Sequence, residues 1–268
     1  MKSLLKSIYR SIPRKKVLFD AIKPVFELPH WLFQHLLFDE PFRVDVGGGR
    51  GFLLFNRSAI ENDIYWKGFM CSWEKASLAI WVDVCKNTSG SIIDVGANGG
   101  IYALVAAAVS GSHVAYAFEP HPMFFKWLSE NIDINRDGFV IEAFQVALGS
   151  SEGFSQIDDY SKLGASIGVE MTTLDSFVSK HGLSSIGAIK VDIEGMEPEF
   201  FAGAINSIKR FRPTILLEVL TDEIGGKVMR LLDGFSYKIY HINDETGLVQ
   251  RVGGLARRGG GRNYLLKA

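Results

Sequence analysis

Apolar positions along this 268-residue chain follow two rhythms that change over near residue 90. In the first stretch Leu4, Leu5, Ile8 and Ile12 recur at helical spacing and give a single apolar stripe. Pro29–Phe38 is apolar and aromatic but only ten residues long, which suits a buried helix or cap rather than an anchor. Phe42–Val46, the glycines between Gly47 and Gly51, and Phe52–Phe55 read as strand, turn and strand. Tyr65–Val84 is rich in Trp, Met, Ala and Leu, with a helix expected around Glu74–Val84.

From Ser91 onward, short apolar runs alternate with helical spacings. Strands are expected at Ser91–Val95, His113–Phe118, Phe139–Val146, Ala188–Asp192, Thr214–Val219 and Tyr237–Ile242. Helices are expected at Ile101–Ser110, Met123–Asn135, Ser176–His181, Glu197–Lys209 and Gly225–Leu232. Glu152–Gly168 reads as a polar loop, and the glycine-rich Arg251–Arg262 as a mobile segment. Strands alternating with helices imply right-handed crossovers on a mostly parallel sheet. The expected organisation is an N-terminal helical and hairpin region over 1–89 and one α/β domain over 90–268.

Composition narrows the function classes. Hydrophobic residues at 47% and charged residues at 22% belong to a globular chain rather than a disordered one. A net charge of −1 argues against a protein that coats nucleic acid, which needs a large positive excess. Two cysteines, Cys71 and Cys85, match neither a Cys-x-x-Cys site nor a disulfide framework, so a reducing, cytoplasmic setting is expected. Seven Lys or Arg against the single Asp20 between Met1 and Phe26 change the picture of the first helix. Its stripe packs on the main domain or a sister subunit, or the basic helix makes peripheral membrane contact.

Candidate chemistry lies just after the strands, because open parallel sheets bind ligands outside their carboxyl ends. The first run closes in Asp94-Val95-Gly96-Ala97-Asn98-Gly99-Gly100, where glycines let the backbone approach a ligand and the next helix offers free N–H groups. The second closes in Phe118-Glu119-Pro120. Glu119, 19 residues past Gly100, can accept hydrogen bonds from both hydroxyls of a ribose. That geometry suits NAD and S-adenosylmethionine equally. Two details favour the latter: the loop lacks the full Gly-x-Gly-x-x-Gly, and it starts with an acid able to lie near a cationic ligand.

The blocks Asp94–Gly100, Phe118-Glu119-Pro120, Asn131, Val146–Gly149, Thr173-Leu174-Asp175, Ile189–Glu197 and Ile215–Glu218 occur in this order. Together they resemble the FkbM family of S-adenosylmethionine-dependent methyltransferases over roughly residues 60–245, with Lys190-Val191-Asp192-Ile193-Glu194-Gly195-Met196-Glu197 the most specific part. Asp63 and Trp73-Glu74 resemble the segment before the core, and His121 departs from the usual Asn. The resemblance implies a Rossmann-like class I methyltransferase fold, a seven-stranded sheet with its last strand antiparallel and helices on both faces. It also implies that Asp94, Gly96, Ala97, Asn98 and Gly99 border the methionine part of the cofactor. Glu119 with Pro120 would meet its ribose, and Gln145, Val146 and Ala147 its adenine edge. The family transfers methyl groups mainly to hydroxyls of sugars and secondary metabolites.

On the acceptor side a hydroxyl must lose its proton, so a base or a metal is expected. Asp192 ends the fourth strand and Glu218 the fifth, a pairing able to hold Mg²⁺. Asp192 or Glu194 could instead act as the base directly, and Glu194 with Glu197 could cap the following helix. Lys190 shares a strand face with Asp192 and is expected to pair with a carboxylate. His121 is expected to satisfy local backbone groups. The leading expectation is a small-molecule or glycan O-methyltransferase. The rivals are an inactive binding module docked on a membrane or complex, and an NAD-dependent oxidoreductase. The latter lacks a Tyr-x-x-x-Lys pair. Oligomeric state is not readable from the chain.

Overall fold

The computed structural model describes residues 14–111, 113–160, 164–259 and 261–268. The chain divides into two compact units: the described residues up to Val44 with Leu53–Trp73, and Asp45–Phe52 with Glu74–Ala268. The stripe formed by Leu4, Leu5, Ile8 and Ile12 lies outside the described residues.

In the first unit, helices Lys15–Ile22, His30–Phe33 and Ala59–Lys67 gather around aromatic rings. Phe19, Phe33, Phe38, Phe42, Tyr65 and Trp66 form a connected cluster with neighbouring centroids 4.7–6.3 Å apart, mostly tilted or edge-on, as ring quadrupoles favour. The Ala59–Lys67 helix was not expected from the apolar spacing. Its signature is a capping box: Ile60 N–H donates to Ser58 Oγ at 3.1 Å and Ser58 N–H to Glu61 Oε2 at 2.7 Å. The expected hairpin forms from β1 (Pro41–Gly47) and β2 (Arg50–Phe55), with Phe42, Val44 and Val46 buried at alternate positions.

The second unit holds β3 (Ser91–Val95), β4 (Ala115–Phe118), β5 (Ile141–Phe144), β6 (Ala147–Leu148), β7 (Gly153–Asp158) and β8 (Ser166–Thr172). β9 (Ile186–Val191), β10 (Thr214–Glu218), β11 (Lys238–Ile242), β12 (Val249–Val252) and β13 (Asn263–Lys267) follow. Eight of them form the main sheet in the order β5-β4-β3-β9-β10-β13-β11-β12. β5 through β10 run parallel, and β13 is antiparallel to both its neighbours. The mostly parallel α/β fold is as expected, with one strand more than seven. The extra strand is β12, which pairs antiparallel with β11 as a hairpin. Parallel strands are covered on both faces, and their composition shows it: Ile92, Ile93, Asp94 and Val95 are all buried. Helix Ile101–Val109 buries every residue but Ala108, its small alanines allowing close approach to the sheet.

Two expected segments differ. Glu152–Gly168 is not a loop: β7 and β8 pair antiparallel and join β6 in a separate three-stranded sheet. Phe154 points to solvent while Ser155 and Ile157 turn partly inward, so a polar stretch still carries a two-residue period. The helix expected over Glu197–Lys209 is two, Glu197–Gly203 and Ile205–Phe211. At the joint Ala204 leaves helical geometry with φ −114°, and Gly203 sits directly on the Gly149 carbonyl oxygen.

The chain builds β3, β4 and β5 outward in one direction, then returns to lay β9 and β10 on the other side of β3. Strand order therefore reverses between β3 and β9, opening a crevice at their carboxyl ends.

Candidate active site

Two loops meet at that crevice. Asp192 N–H donates to Val95 O at 3.0 Å, joining the end of β9 to the end of β3. Gly96 follows with φ +79°, and a side-chain carbon there would overlap the Asp192 carbonyl oxygen. Only glycine fits so close an approach. Gly96 and Ala97 N–H groups both donate to Phe118 O, at 2.9 and 3.0 Å, tying the glycine loop to the end of β4.

Glu119 organises the next layer. Asn98, left-handed at φ 50°, donates its N–H to Glu119 Oε2 at 2.8 Å, and His121 N–H donates to Oε1 at 2.8 Å. Gly99 N–H donates to Asn98 Oδ1 at 2.7 Å, and Asn131 Nδ2 donates to Gly99 O at 2.8 Å. Burial pushes the Glu119 carboxyl up to about 7 against the pull of these two N–H groups. A carboxylate accepts up to about four hydrogen bonds, so each oxygen keeps capacity for a ligand. His121 serves its backbone, as expected: its ring Nδ1 accepts from Met123 N–H at 3.2 Å and caps helix Pro122–Asp133.

Asp94 lies in β3 opposite Lys190 of β9. Burial pushes it up to about 7, opposed by Lys190 and the Ala103 N–H, and its Oδ2 has no hydrogen-bond partner among the described residues. Lys190 is the centre of charge. Its Nζ stands 3.4 Å from Asp192 Oδ2, 3.5 Å from Val191 O and 4.9 Å from the centre of the Tyr102 ring. Burial alone would lower its pKa, but Asp192, Glu74, Glu218 and Asp94 together hold it above the ordinary lysine value.

Glu218, at the end of β10, lies beside Asp192. Burial and the neighbouring Asp192 charge push its carboxyl up to about 9. Arg262 Nη1 lies 3.9 Å from its Oε1. A third carboxylate was not expected from sequence reasoning: Glu74 accepts from Tyr102 hydroxyl at 2.6 Å and Asn263 Nδ2 at 2.9 Å. Asn263 Nδ2 also donates to Asp244 Oδ2 at 3.1 Å, and Asp244 accepts from Ser77 N–H and Oγ at 2.8 Å each. The spacing of Glu74, Tyr102, Asp244 and Asn263 along the chain carries no signal that they meet, although Glu74 belongs to the resembling segment.

The three roles open for the carboxylates separate here. Glu197 is fully buried, and its Oε1 accepts from Gly195 N–H at 3.1 Å and Ile193 N–H at 3.4 Å. It closes the tight turn before its helix rather than capping the helix itself. Glu194 stands exposed at the left-handed corner of that turn, φ 53°. Mg²⁺ does not fit the pair Asp192 and Glu218. The Lys190 ammonium, 3.4 Å from Asp192 Oδ2, already supplies positive charge there, and no group of three His, Cys, Asp or Glu among the described residues could hold an ion. Gln145 and Val146 border a cavity of about 720 Å³ with Met171, Phe177 and His181, and Ala147 begins β6.

The family model for the methyltransferase FkbM domain matches residues 94–239. Among solved structures, a methyltransferase FkbM from Methylobacillus flagellatus shares 17% identity, covering 66% of this chain and 43% of that one, with a TM-score of 0.49. An S-adenosylmethionine-dependent O-methyltransferase from Thermotoga maritima shares 14%, covering 86% and 78%, with a TM-score of 0.42. Aeropyrum pernix fibrillarin with natively bound S-adenosyl-L-methionine shares 12%, covering 68% of each chain, with a TM-score of 0.41. The chain thus spans less than half the length of the first of these. No curated protein matches it.

Proposed function

Because this chain belongs to the FkbM methyltransferase family, we propose that it uses S-adenosylmethionine to methylate a hydroxyl oxygen of a sugar, a glycan or a secondary metabolite. The observation that carries the reading is Glu119. It is buried at the end of the second parallel strand, held by two backbone N–H groups and left with lone pairs for a ribose diol.

The residues present fit the cofactor on a second count, since Asp94 Oδ2, next to the glycine loop, is a buried acceptor without a partner among the described residues. Asp94, Gly96, Ala97, Asn98 and Gly99 hold the methionine end, Glu119 and Pro120 the ribose, and Gln145, Val146 and Ala147 the adenine edge. When bound, the cofactor supplies an electrophilic methyl group on a sulfonium. Asp192 takes the proton of the acceptor hydroxyl. It is suited to the task because it ends the strand at the crevice and Lys190, 3.4 Å away, fixes its position. Glu194 borders the acceptor from the exposed turn.

Calorimetric titration with S-adenosylhomocysteine tests the cofactor half. Wild-type protein is expected to bind it, and Glu119→Ala to bind about 10–100-fold more weakly, the loss typical of a charge-assisted contact. Asp192→Asn is expected to keep that affinity while losing about 10²–10⁴-fold in methyl transfer, the usual share of a general base. Transfer is read as label passed from the cofactor to sugars, nucleotide sugars and polyketides. Label passing only to protein or nucleic acid would overturn oxygen methylation of small molecules.

A further inference from the structure

The segment after β12 carries a feature that the methyltransferase reading leaves unused. A cavity of about 550 Å³ is lined by Arg257, Arg258 and Arg262 with Glu245 and the glycines at 259 and 261. That volume suits a small organic ligand. Arg262 belongs both to this cavity and to the carboxyl pair, its guanidinium lying 3.9 Å from Glu218.

Expected to be mobile, this segment is pinned at both ends. Arg257 N–H donates to Asp222 Oδ1 at 2.6 Å, and Arg258 bridges to Gly261. Val219 N–H donates to Arg262 O at 2.8 Å, and the His241 ring hydrogen-bonds Gly261 O at 3.2 Å. The Tyr264 hydroxyl holds Ala256 through its backbone carbonyl. The backbone that carries the arginines is therefore tied down before any ligand arrives, which lowers part of the ordering cost of binding.

Charge sets the chemistry. Three arginines and one glutamate line the cavity, in a chain whose net charge is −1. Among the described residues neither Arg257 nor Arg258 has an ion-pair partner, and Arg262 approaches only Glu218, at 3.9 Å. Crowded like charges repel unless an anion lies between them, and the planar guanidinium matches phosphate and carboxylate oxygens in pairs. We propose that the methyl acceptor carries an oxyanion, a phosphate or a carboxylate, held by Arg257, Arg258 and Arg262 so that a hydroxyl of the same molecule reaches Asp192. This rests on the methyltransferase reading above and narrows its acceptor class.

The test titrates inorganic pyrophosphate and, in parallel, glucuronate into the whole chain with S-adenosylhomocysteine present. Wild-type protein is expected to bind at least one of them saturably. The one bound more tightly distinguishes a phosphate from a carboxylate. The double variant R257Q/R258Q is expected to bind about tenfold or more weakly, as loss of charge-assisted contacts predicts, with S-adenosylhomocysteine affinity unchanged. R251Q, on the exposed β12 strand outside the cavity, is expected to bind like wild type. Raising salt weakens the wild-type interaction. No saturable binding of either anion, or equal binding by R257Q/R258Q, overturns the proposal. Failure of S-adenosylhomocysteine to bind is a different result, overturning the methyltransferase reading while the anion titration still reports on the arginines.

Discussion

Lys190 is a charged side chain buried to 1% exposure inside a parallel strand, and it persists there because Asp192, Glu218, Glu74 and Asp94 surround it. The pairing with Asp192 was legible in sequence, since residues two apart share a strand face. The other three partners were not, because they come from β3, β10 and the start of helix Lys75–Asn87. Removing one member of a buried ion pair typically costs about 3–5 kcal/mol, because the opposite charge is left unpaired. Lys190→Met is therefore expected to destabilise the protein by about that amount at pH 8, measured by urea unfolding. The cost should shrink towards pH 5, as the stranded carboxyls take up protons. An equal cost at both pH values would show that packing rather than charge keeps the lysine. Glu119 illustrates the same division: its place after β4 followed from spacing, but its hold on Asn98 and His121 did not.

At the level of elements, periodicity found most strands and helices and missed where tertiary contacts cut across it. The apolar pattern of Glu197–Lys209 is continuous, yet the helix breaks at Ala204 because Gly203 must seat on the Gly149 carbonyl. Gly203→Ala places a methyl group where that oxygen lies. The two backbones must separate, and an overpacked buried contact of this kind costs about 3 kcal/mol or more. Chemical denaturation is the readout, and a change below about 1 kcal/mol would show that this contact is not rigid. The helix Ala59–Lys67 was missed for the opposite reason. Its capping box was present in the sequence, but its apolar positions give too weak a stripe to announce it. The β7–β8 hairpin was missed because only β8, with Ile167, Val169 and Met171 turned inward, carries an apolar face, while β7 places Ser155 beside Ile157 on its own.

At the scale of the molecule, the reversal of strand order between β3 and β9 collects acidic groups at one crevice, and this sets the response to pH. Burial raises Asp94 from 3.8 and Glu119 from 4.5 to about 7, and Glu218 from 4.5 to about 9. Groups whose folded pKa is raised bind more protons in the folded state. Their favourable contribution is complete below the unfolded values and is lost as pH climbs through the folded ones. The ligand-free protein is therefore expected to lose stability from about pH 5 to pH 9, seen as a falling midpoint in thermal scans. Glu218→Gln removes the group that titrates last and is expected to flatten the fall above pH 8. A midpoint that rises over this range would contradict the buried acid cluster.

The chain by itself determined the alternation of strands and helices, the glycine loop after β3 and the acidic residue after β4. These are local properties, governed by side-chain period and by which residues tolerate unusual backbone angles. The crevice at β3 and β9 followed in outline, because parallel crossovers allow few arrangements. Only the folded structure decided that Glu218 lies beside Asp192, that Glu74 and Asn263 close the same cluster, and that Arg257, Arg258 and Arg262 line one cavity. Charges and buried polar groups interact through space and depend on burial. Neither their distances nor their dielectric surroundings are written in the order of residues.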